Sequence, residues 1–192
     1  MAFNVTEFIG NLTGDGARPN LFSVTLIFPQ LPGITDSSAA SQKLTFMAKA
    51  TQLPGSTIGT VTQNYFGRQL KFAGNRTFAD WSITVINDED FFVRAALEEW
   101  MNAINSHVGN IRTPGAVSAT QYQVDATVNQ YSKDGQSILK SYSVIGMFPV
   151  DLAPIDLDWG NNDTIEEFGA TFAYQFWESD TTDSVATAFL SQ

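Results

Sequence analysis

The chain contains no cysteine and one histidine among 192 residues. Disulfide scaffolds, zinc fingers, thiol catalysis and thiolate-ligated clusters are excluded, since each needs cysteine at a set spacing. His107 alone cannot build a histidine-rich metal site. Basic residues are also scarce: ten Lys and Arg stand against twenty Asp and Glu, for a net charge of −10. That balance argues against ordinary phosphate-backbone binding, in which Lys and Arg displace condensed counterions. The N-terminal MAFNVTEFIGNLTG lacks a basic stretch followed by an unbroken apolar run, so no signal peptide is expected. No segment approaches the ~20 apolar residues of a membrane-spanning helix. The expectation is a soluble protein made in the cytoplasm, without a membrane anchor. Neither GxGxxG, a Walker-type GK[ST], nor GxSxG occurs, and there is no internal repeat of fixed period.

What remains is a chain that is 43 % hydrophobic and 12 % aromatic, enough to bury a core at this length. Its acid is unevenly placed. After Lys140 there is no Lys or Arg, while Asp151, Asp156, Asp158, Asp163, Glu166, Glu167, Glu178, Asp180 and Asp183 follow. The last quarter is therefore expected to form an acidic surface. Arg68, Lys71 and Arg76 form a locally basic band in the first half.

Period-2 alternation predicts most of the structure. Residues 21–28 place Phe22, Val24, Leu26 and Phe28 on one face of a strand. Residues 29–42, PQLPGITDSSAASQ, read as a long surface loop rich in Pro, Gly and Ser. A second strand carries Leu44, Phe46, Ala48 and Ala50 on one face and stops at Pro54-Gly55. Two more, 58–66 and 68–73, flank Gly67, and a fifth over 79–86 has Trp81, Ile83 and Val85 inward. The period then becomes 3.6. Val93, Leu97, Trp100 and Ile104 form the apolar stripe of a helix over about 88–107, with Asn87 as N-cap, acid in the first turn and Gly109 as the stop. Asp134-Gly135 suits a two-residue type I′ turn, pairing Tyr122 with Met147, Val124 with Ile145 and Ala126 with Ser143. A last long strand aligns Phe168, Ala170, Phe172, Tyr174 and Phe176. Residues 1–16 read as an N-terminal arm and 179–192 as a C-terminal tail, in which Val185, Phe189 and Leu190 suit docking on a neighbour. The fold class is mainly β: a single domain over 1–192, an antiparallel β-sandwich or barrel with one α-helix.

Candidate chemistry is thin. His107 at the end of the predicted helix is read as meeting the last carbonyls rather than as a catalyst. Adjacent carboxylates, Glu98/Glu99 and Glu166/Glu167, point to different faces of a helix or strand. Asp156 and Asp158 are expected to belong to a solvated rim. The two-carboxylate geometry of a glycosidase and a calcium site over Asp156–Asp163 remain the alternatives, although DLDWGNND lacks the EF-hand order. Trp81 and Trp100 fall on apolar faces and are expected in the core, which weakens a glycan platform. The expected class is a binding or structural β-domain, without an enzymatic activity or cofactor.

Five segments carry a more specific signal: ARPNLF (17–22), AKATQLPG (48–55), GNRTFADWSITVINDED (74–90), LDWGNND (157–163) and FGATFAYQFWE (168–178). In this order they resemble the tail tube proteins of T4-like contractile-tailed bacteriophages, over roughly residues 17–178. The 29–42 loop and the segment after Glu178 are longer than the family pattern. The resemblance implies a β-barrel-like subunit that forms homohexameric rings, stacked into a hollow tube inside a contractile sheath. It implies sheath, baseplate and tail-terminator partners, a place in the virion tail after assembly in the host bacterial cytoplasm, and passage of DNA without specific binding. A ring of six would carry about −60 at −10 per copy, and a lumen bearing part of that charge repels phosphates over a Debye length of ~8 Å. The absence of cysteine suits assembly in a reducing cytoplasm.

On this reading Arg68, Lys71 and Arg76 pair with acidic residues of a neighbouring subunit or ring, and Asp156, Asp158, Glu166 and Glu167 are further candidates for inter-subunit contact. The polar faces of hairpin 121–147 or of strands 43–73 line the lumen, and residues 1–20 and 29–42 make inter-subunit or inter-ring contacts. A type VI-secretion-like tube and, in a different class, a carbohydrate-binding β-sandwich are the competing readings.

Overall fold

The computed structural model describes residues 4–182. The expected docking residues Val185, Phe189 and Leu190 lie outside the described residues. Nine strands and four α-helices occur among those described: α1 (Val5–Asn11), β1 (Phe22–Leu26), α2 (Ser37–Met47), β2 (Ala48–Thr51), β3 (Ser56–Tyr65), β4 (Arg68–Phe78), β5 (Trp81–Ile86), α3 (Phe92–Ile104), α4 (Ala119–Tyr122), β6 (Val124–Tyr131), β7 (Ile138–Leu152), β8 (Glu167–Ala173) and β9 (Phe176–Ser179). A single 3₁₀ turn, Thr13–Asp15, follows α1.

All strand pairs are antiparallel, as the alternation predicts. Seven strands form one sheet in the order β1-β6-β7-β8-β5-β2, with β9 added to β7, while β3 and β4 pair only with each other. The long β7 joins two halves. Its first part pairs with β6 and β9, and its last part with β8. The sheet folds over the core in a sandwich-like way without closing into a barrel. Val24 and Leu26 of β1, Ala126 and Val128 of β6, Ile83 and Val85 of β5, and Phe168, Ala170 and Phe172 of β8 meet in one buried cluster. Helix α3 supplies Val93, Ala96, Leu97, Trp100 and Ala103 to it. Trp81 and Trp100 are core residues, and each ring packs at an angle on Phe172.

Several local expectations are corrected. Residues 43–47 are the end of α2 and not a strand, and the loop expected over 29–42 ends where the Asp36 side chain caps Ser37–Met47 by accepting from the Ala39 N–H at 3.2 Å. The alternation of Leu44 and Phe46 was coincidental: in the helix Leu44 is 1 % exposed and Phe46 84 %. Helix α3 starts at Phe92, later than 88, and Asp90 rather than Asn87 accepts the Phe92 N–H, at 2.9 Å. It ends at Ile104, five residues before Gly109. His107 Nδ1 lies 3.0 Å from the Asn102 side-chain oxygen instead of meeting the last carbonyls.

The β6–β7 register also differs. Ala126 faces Val144 and Val124 faces Met147, because the connection is longer than two residues and closes with Ser132 N–H donating to the Ser137 carbonyl. Asp134 accepts from the N–H groups of Ser137 and Gln136 in that loop, and those bonds hold its carboxyl far below the usual range. Gly146 then makes a bulge at φ +66°, with its N–H donating to Asp125 at 2.9 Å. The bulge lets both Val144 and Met147 point inward. Opposite it, the single long strand expected through Phe176 breaks. Residues up to Ala173 pair with β5 and β7, whereas Phe176–Ser179 crosses to the other half of β7, leaving Phe176 exposed.

Candidate assembly surface

The β3–β4 ribbon is the element that stands apart. Its turn, Phe66-Gly67, has both residues at positive φ, +44° and +81°, the requirement of a type I′ hairpin turn. Every residue of β3 is exposed, and neither strand joins the main sheet. An isolated two-stranded ribbon is marginal in water unless something covers it.

Its two faces differ. The register Val61↔Phe72, Gln63↔Leu70 and Tyr65↔Arg68 puts Val61, Tyr65, Leu70 and Phe72 on one side. All four are exposed. The register shifts between Ile58 and Thr60, so that Ile58 faces Arg76 and Arg76 joins Lys71 on the opposite, polar side. The three cations are therefore not one band, since Arg68 sits at the tip on the apolar face. Among the described residues none of the three is in an ion pair; Arg76 donates to the Ser56 hydroxyl at 3.2 Å.

The acidic candidates lie at the other end of the chain and are not equivalent. Residues 153–166 form a loop between β7 and β8. It surrounds an open cleft of about 520 Å³ lined by Pro154, Asp156, Asp158, Trp159, Ile165 and Glu167 among others. Trp159 is 99 % exposed, and Leu157 and Ile165 are also on the surface. Asp156 makes no side-chain hydrogen bond or ion pair to the described residues, and Asp158 accepts only from the Gly160 N–H, at 2.9 Å. Glu166 and Glu167 are already engaged inside the chain: Glu166 accepts from the Asn87 side chain at 2.9 Å, and Glu167 is paired with Lys49. Asp156 and Asp158 lie in this loop and not on a strand face.

The N-terminal arm, expected from sequence as a contact segment, carries the other exposed apolar surface, and it is a helix that sequence reasoning missed. Val5, Phe8, Ile9 and Leu12 form a stripe along α1, with every residue of the helix exposed. Their spacing of i, i+3, i+4 and i+7 is an amphipathic signal, concealed by the Gly residues that follow. Behind it, Asp15 is held to Lys133, whose hydrogen bond lowers the Asp15 pKa.

A third surface is mostly hydroxyl and amide, with carboxylates as its only charges among the rows that follow. Thr25, Thr127, Ser143 and Glu178 make one row across β1, β6, β7 and β9 on the side away from the core. Ser23, Asn129 and Ser141 make the next. Lys140 pairs across from Gln130 on the other side of β7, and its ammonium is paired with Asp180.

No residues among those described form a cluster of three or more His, Asp or Glu able to hold a metal. No described helix is long and apolar enough to cross a membrane.

Solved structures share this architecture. The tube-terminating cap of the anti-feeding prophage superposes with a TM-score of 0.60 at 17 % identity, covering 86 % of this chain and 91 % of the cap protein. A chain of the sheath–tube complex of the extracellular contractile injection system PVC superposes with a TM-score of 0.57 at 12 % identity, covering 93 % and 99 %. At such identities the likeness is one of fold. Sequence is closer elsewhere: the chain is 34 % identical over 166 residues to tail tube protein gp19 of Enterobacteria phage T4, covering 86 % of this chain and 93 % of that protein. The tail tube protein of Serratia phage KSP90 is 24 % identical over 172 residues. The family model described as phage tail tube protein matches residues 17–180, and this chain belongs to that family.

Proposed function

We propose that the protein is a structural virion component whose copies close into hexameric rings and stack into the inner tube of a contractile phage tail. The single observation that carries the stacking is the β3–β4 ribbon. It presents Val61, Tyr65, Leu70 and Phe72 to water on one face and, on the other, Lys71 and Arg76, neither in an ion pair among the described residues. Exposed apolar patches of this kind mark interfaces in soluble proteins. The ribbon of one copy seats against the 153–166 loop of a neighbour. There Leu157, Trp159 and Ile165 offer apolar surface, and Asp156 and Asp158 are carboxylates in no ion pair among the described residues. Glu166 and Glu167 keep their intrachain partners and shape the loop instead.

The lumen is lined by the hydroxyl and amide rows of β1, β6, β7 and β9. This face holds Asp125 and Glu178 but no unpaired cation among the rows described, so DNA phosphates find nothing to bind and pass through. The role is mechanical, with no catalytic step. Sheath, baseplate and tail-terminator proteins are the partners, and the protein acts in the virion tail. Helix α1 adds a further contact between copies through Phe8 and Ile9.

Cross-linking tests the central contact. The absence of native cysteine allows Gln69→Cys and Asp158→Cys to be introduced together. Mild oxidation of assembled protein is expected to give a ladder of covalent oligomers with the double variant and none with either single variant. Oxidised double variant that remains monomeric places the ribbon elsewhere.

A further inference from the structure

The direction of the β3–β4 ribbon is fixed at its root by two indole N–H groups. The connection from β2 to β3 is Gln52-Leu53-Pro54-Gly55. Trp81 Nε1 donates to the Gln52 carbonyl at 2.8 Å, and Trp177 Nε1 donates to the Gly55 carbonyl at 3.1 Å. Trp81 belongs to the core, but Trp177 is a half-buried residue of β9 whose ring packs edge-on against Tyr142. The returning limb is held differently: Phe78 leans on Tyr174 with ring centroids 6.0 Å apart, and the Tyr174 hydroxyl makes no hydrogen bond among the described residues. No sheet pairing links the ribbon to the body. These contacts tie the root of the ribbon to the body.

The geometry points to Trp177 as a positioning residue for assembly, acting by clamping the Gly55 carbonyl so that the free subunit already carries the ribbon at its docking angle. The inference rests on the reading of the ribbon as the stacking element. A ribbon free to pivot at Pro54-Gly55 and Ala79-Asp80 would be competent only in the fraction of time spent at that angle, and apparent affinity falls by the same fraction. Holding it beforehand removes that ordering cost from docking. Gly55 immediately precedes β3, so a small rotation there moves a tip that lies about 30 Å away by the rise of ten extended residues.

The test is pulsed dipolar EPR on unassembled protein spin-labelled at Thr62→Cys in the ribbon and Glu89→Cys in the body, both exposed and in a chain without native cysteine. The parent gives a narrow distance distribution. Trp177→Phe keeps the ring against Tyr142 but removes the donor; it broadens the distribution and raises the concentration needed for tube formation about fivefold, the equivalent of one ordinary hydrogen bond. Tyr174→Phe, which removes a hydroxyl without a partner, leaves the width unchanged and controls for general loosening. A Trp177→Phe distribution as narrow as the parent's overturns the inference. A second readout needs no variant at this site: in the parent the Trp177 indole N–H exchanges with solvent more slowly than that of the exposed Trp159, and equal exchange overturns the clamp. Because both readouts are taken on the free subunit, they fail or succeed independently of whether the ribbon stacks rings, which the Gln69/Asp158 cross-link tests separately.

Discussion

Asn87 clasps Glu166 twice: its backbone N–H donates to the Glu166 carbonyl at 2.8 Å and its side-chain amide to the Glu166 carboxylate at 2.9 Å. The pair joins the end of β5 to the start of β8, and Asn87 is one of the few buried polar residues. Asn87→Ala removes a charge-assisted bond in a protected place and is expected to cost about 1–3 kcal/mol, read as a lowered urea midpoint. An unchanged midpoint would free Glu166 for the contact with a neighbour that its sequence position suggested.

Leu44 and Phe46 separate the helical from the extended reading of residues 43–47. Leu44→Ala opens a cavity under α2 and is expected to lose about 2–5 kcal/mol in chemical denaturation. Phe46→Ser, on the opposite side of the helix, leaves the same midpoint within about 0.5 kcal/mol. Comparable losses at both positions would restore the strand.

What was legible in the sequence follows from how each segment is covered. Strands β1, β5 and β8 pack one face on the core, so their alternation is clean, and Val24, Leu26, Ile83, Val85, Phe168 and Phe172 are all buried. Helix α3 has a full stripe for the same reason. Helix α2 buries only Ala40 and Leu44, too few for a period to emerge from SSAASQKLTFM. The β6–β7 pairing turned on loop length and on a bulge at Gly146, both set by backbone geometry that a turn dipeptide does not encode. The three basic residues were visible as composition. Their division between two faces depends on the register shift near Gly59 and Gly74, where a Cβ on Gly74 would sit 3.1 Å from the Gly59 carbonyl oxygen.

Gly146 is expected to tolerate no side chain. At φ +66° an added Cβ lies 2.9 Å from Gln175 Cγ, where β7 passes the break between β8 and β9. Gly146→Ala is expected to cost about 1–3 kcal/mol, measured by thermal or urea unfolding. Gly135→Ala, at φ +69° but in open space, costs less, so a similar loss at the two sites contradicts the bulge packing.

Lys43 binds Asp88 and Asp90 at the start of α3, and its hydrogen bond, followed by that of the Phe92 N–H, lowers the Asp90 pKa to about 2. A depressed carboxylate contributes stability that is fully present above its unfolded pKa of roughly 4 and is lost as pH falls through the folded value. Lys43→Met is therefore expected to be less stable than the parent at pH 7, with the gap narrowing towards pH 2. Urea midpoints for both proteins across that range check the sign. A gap independent of pH contradicts the pairing.

Thr127 sits in the row proposed to face the lumen. Thr127→Lys adds a cation there without disturbing the core, so tubes should form normally while DNA ejection from assembled particles slows. Ejection kinetics at low and high salt read the effect, which should fade as salt screens the phosphate contacts. Unchanged ejection at low salt would move the lumen to another face.

Stacking of copies through the β3–β4 ribbon is decided by negative-stain electron microscopy of purified protein at high concentration. The full chain is compared with a variant in which residues 58–76 are replaced by a short Gly-Ser turn. Hollow rods with six-fold end views are expected from the full chain, and single rings or dispersed subunits from the variant. Rods of equal length from both, or dispersed particles from the full chain at every salt level, would contradict it.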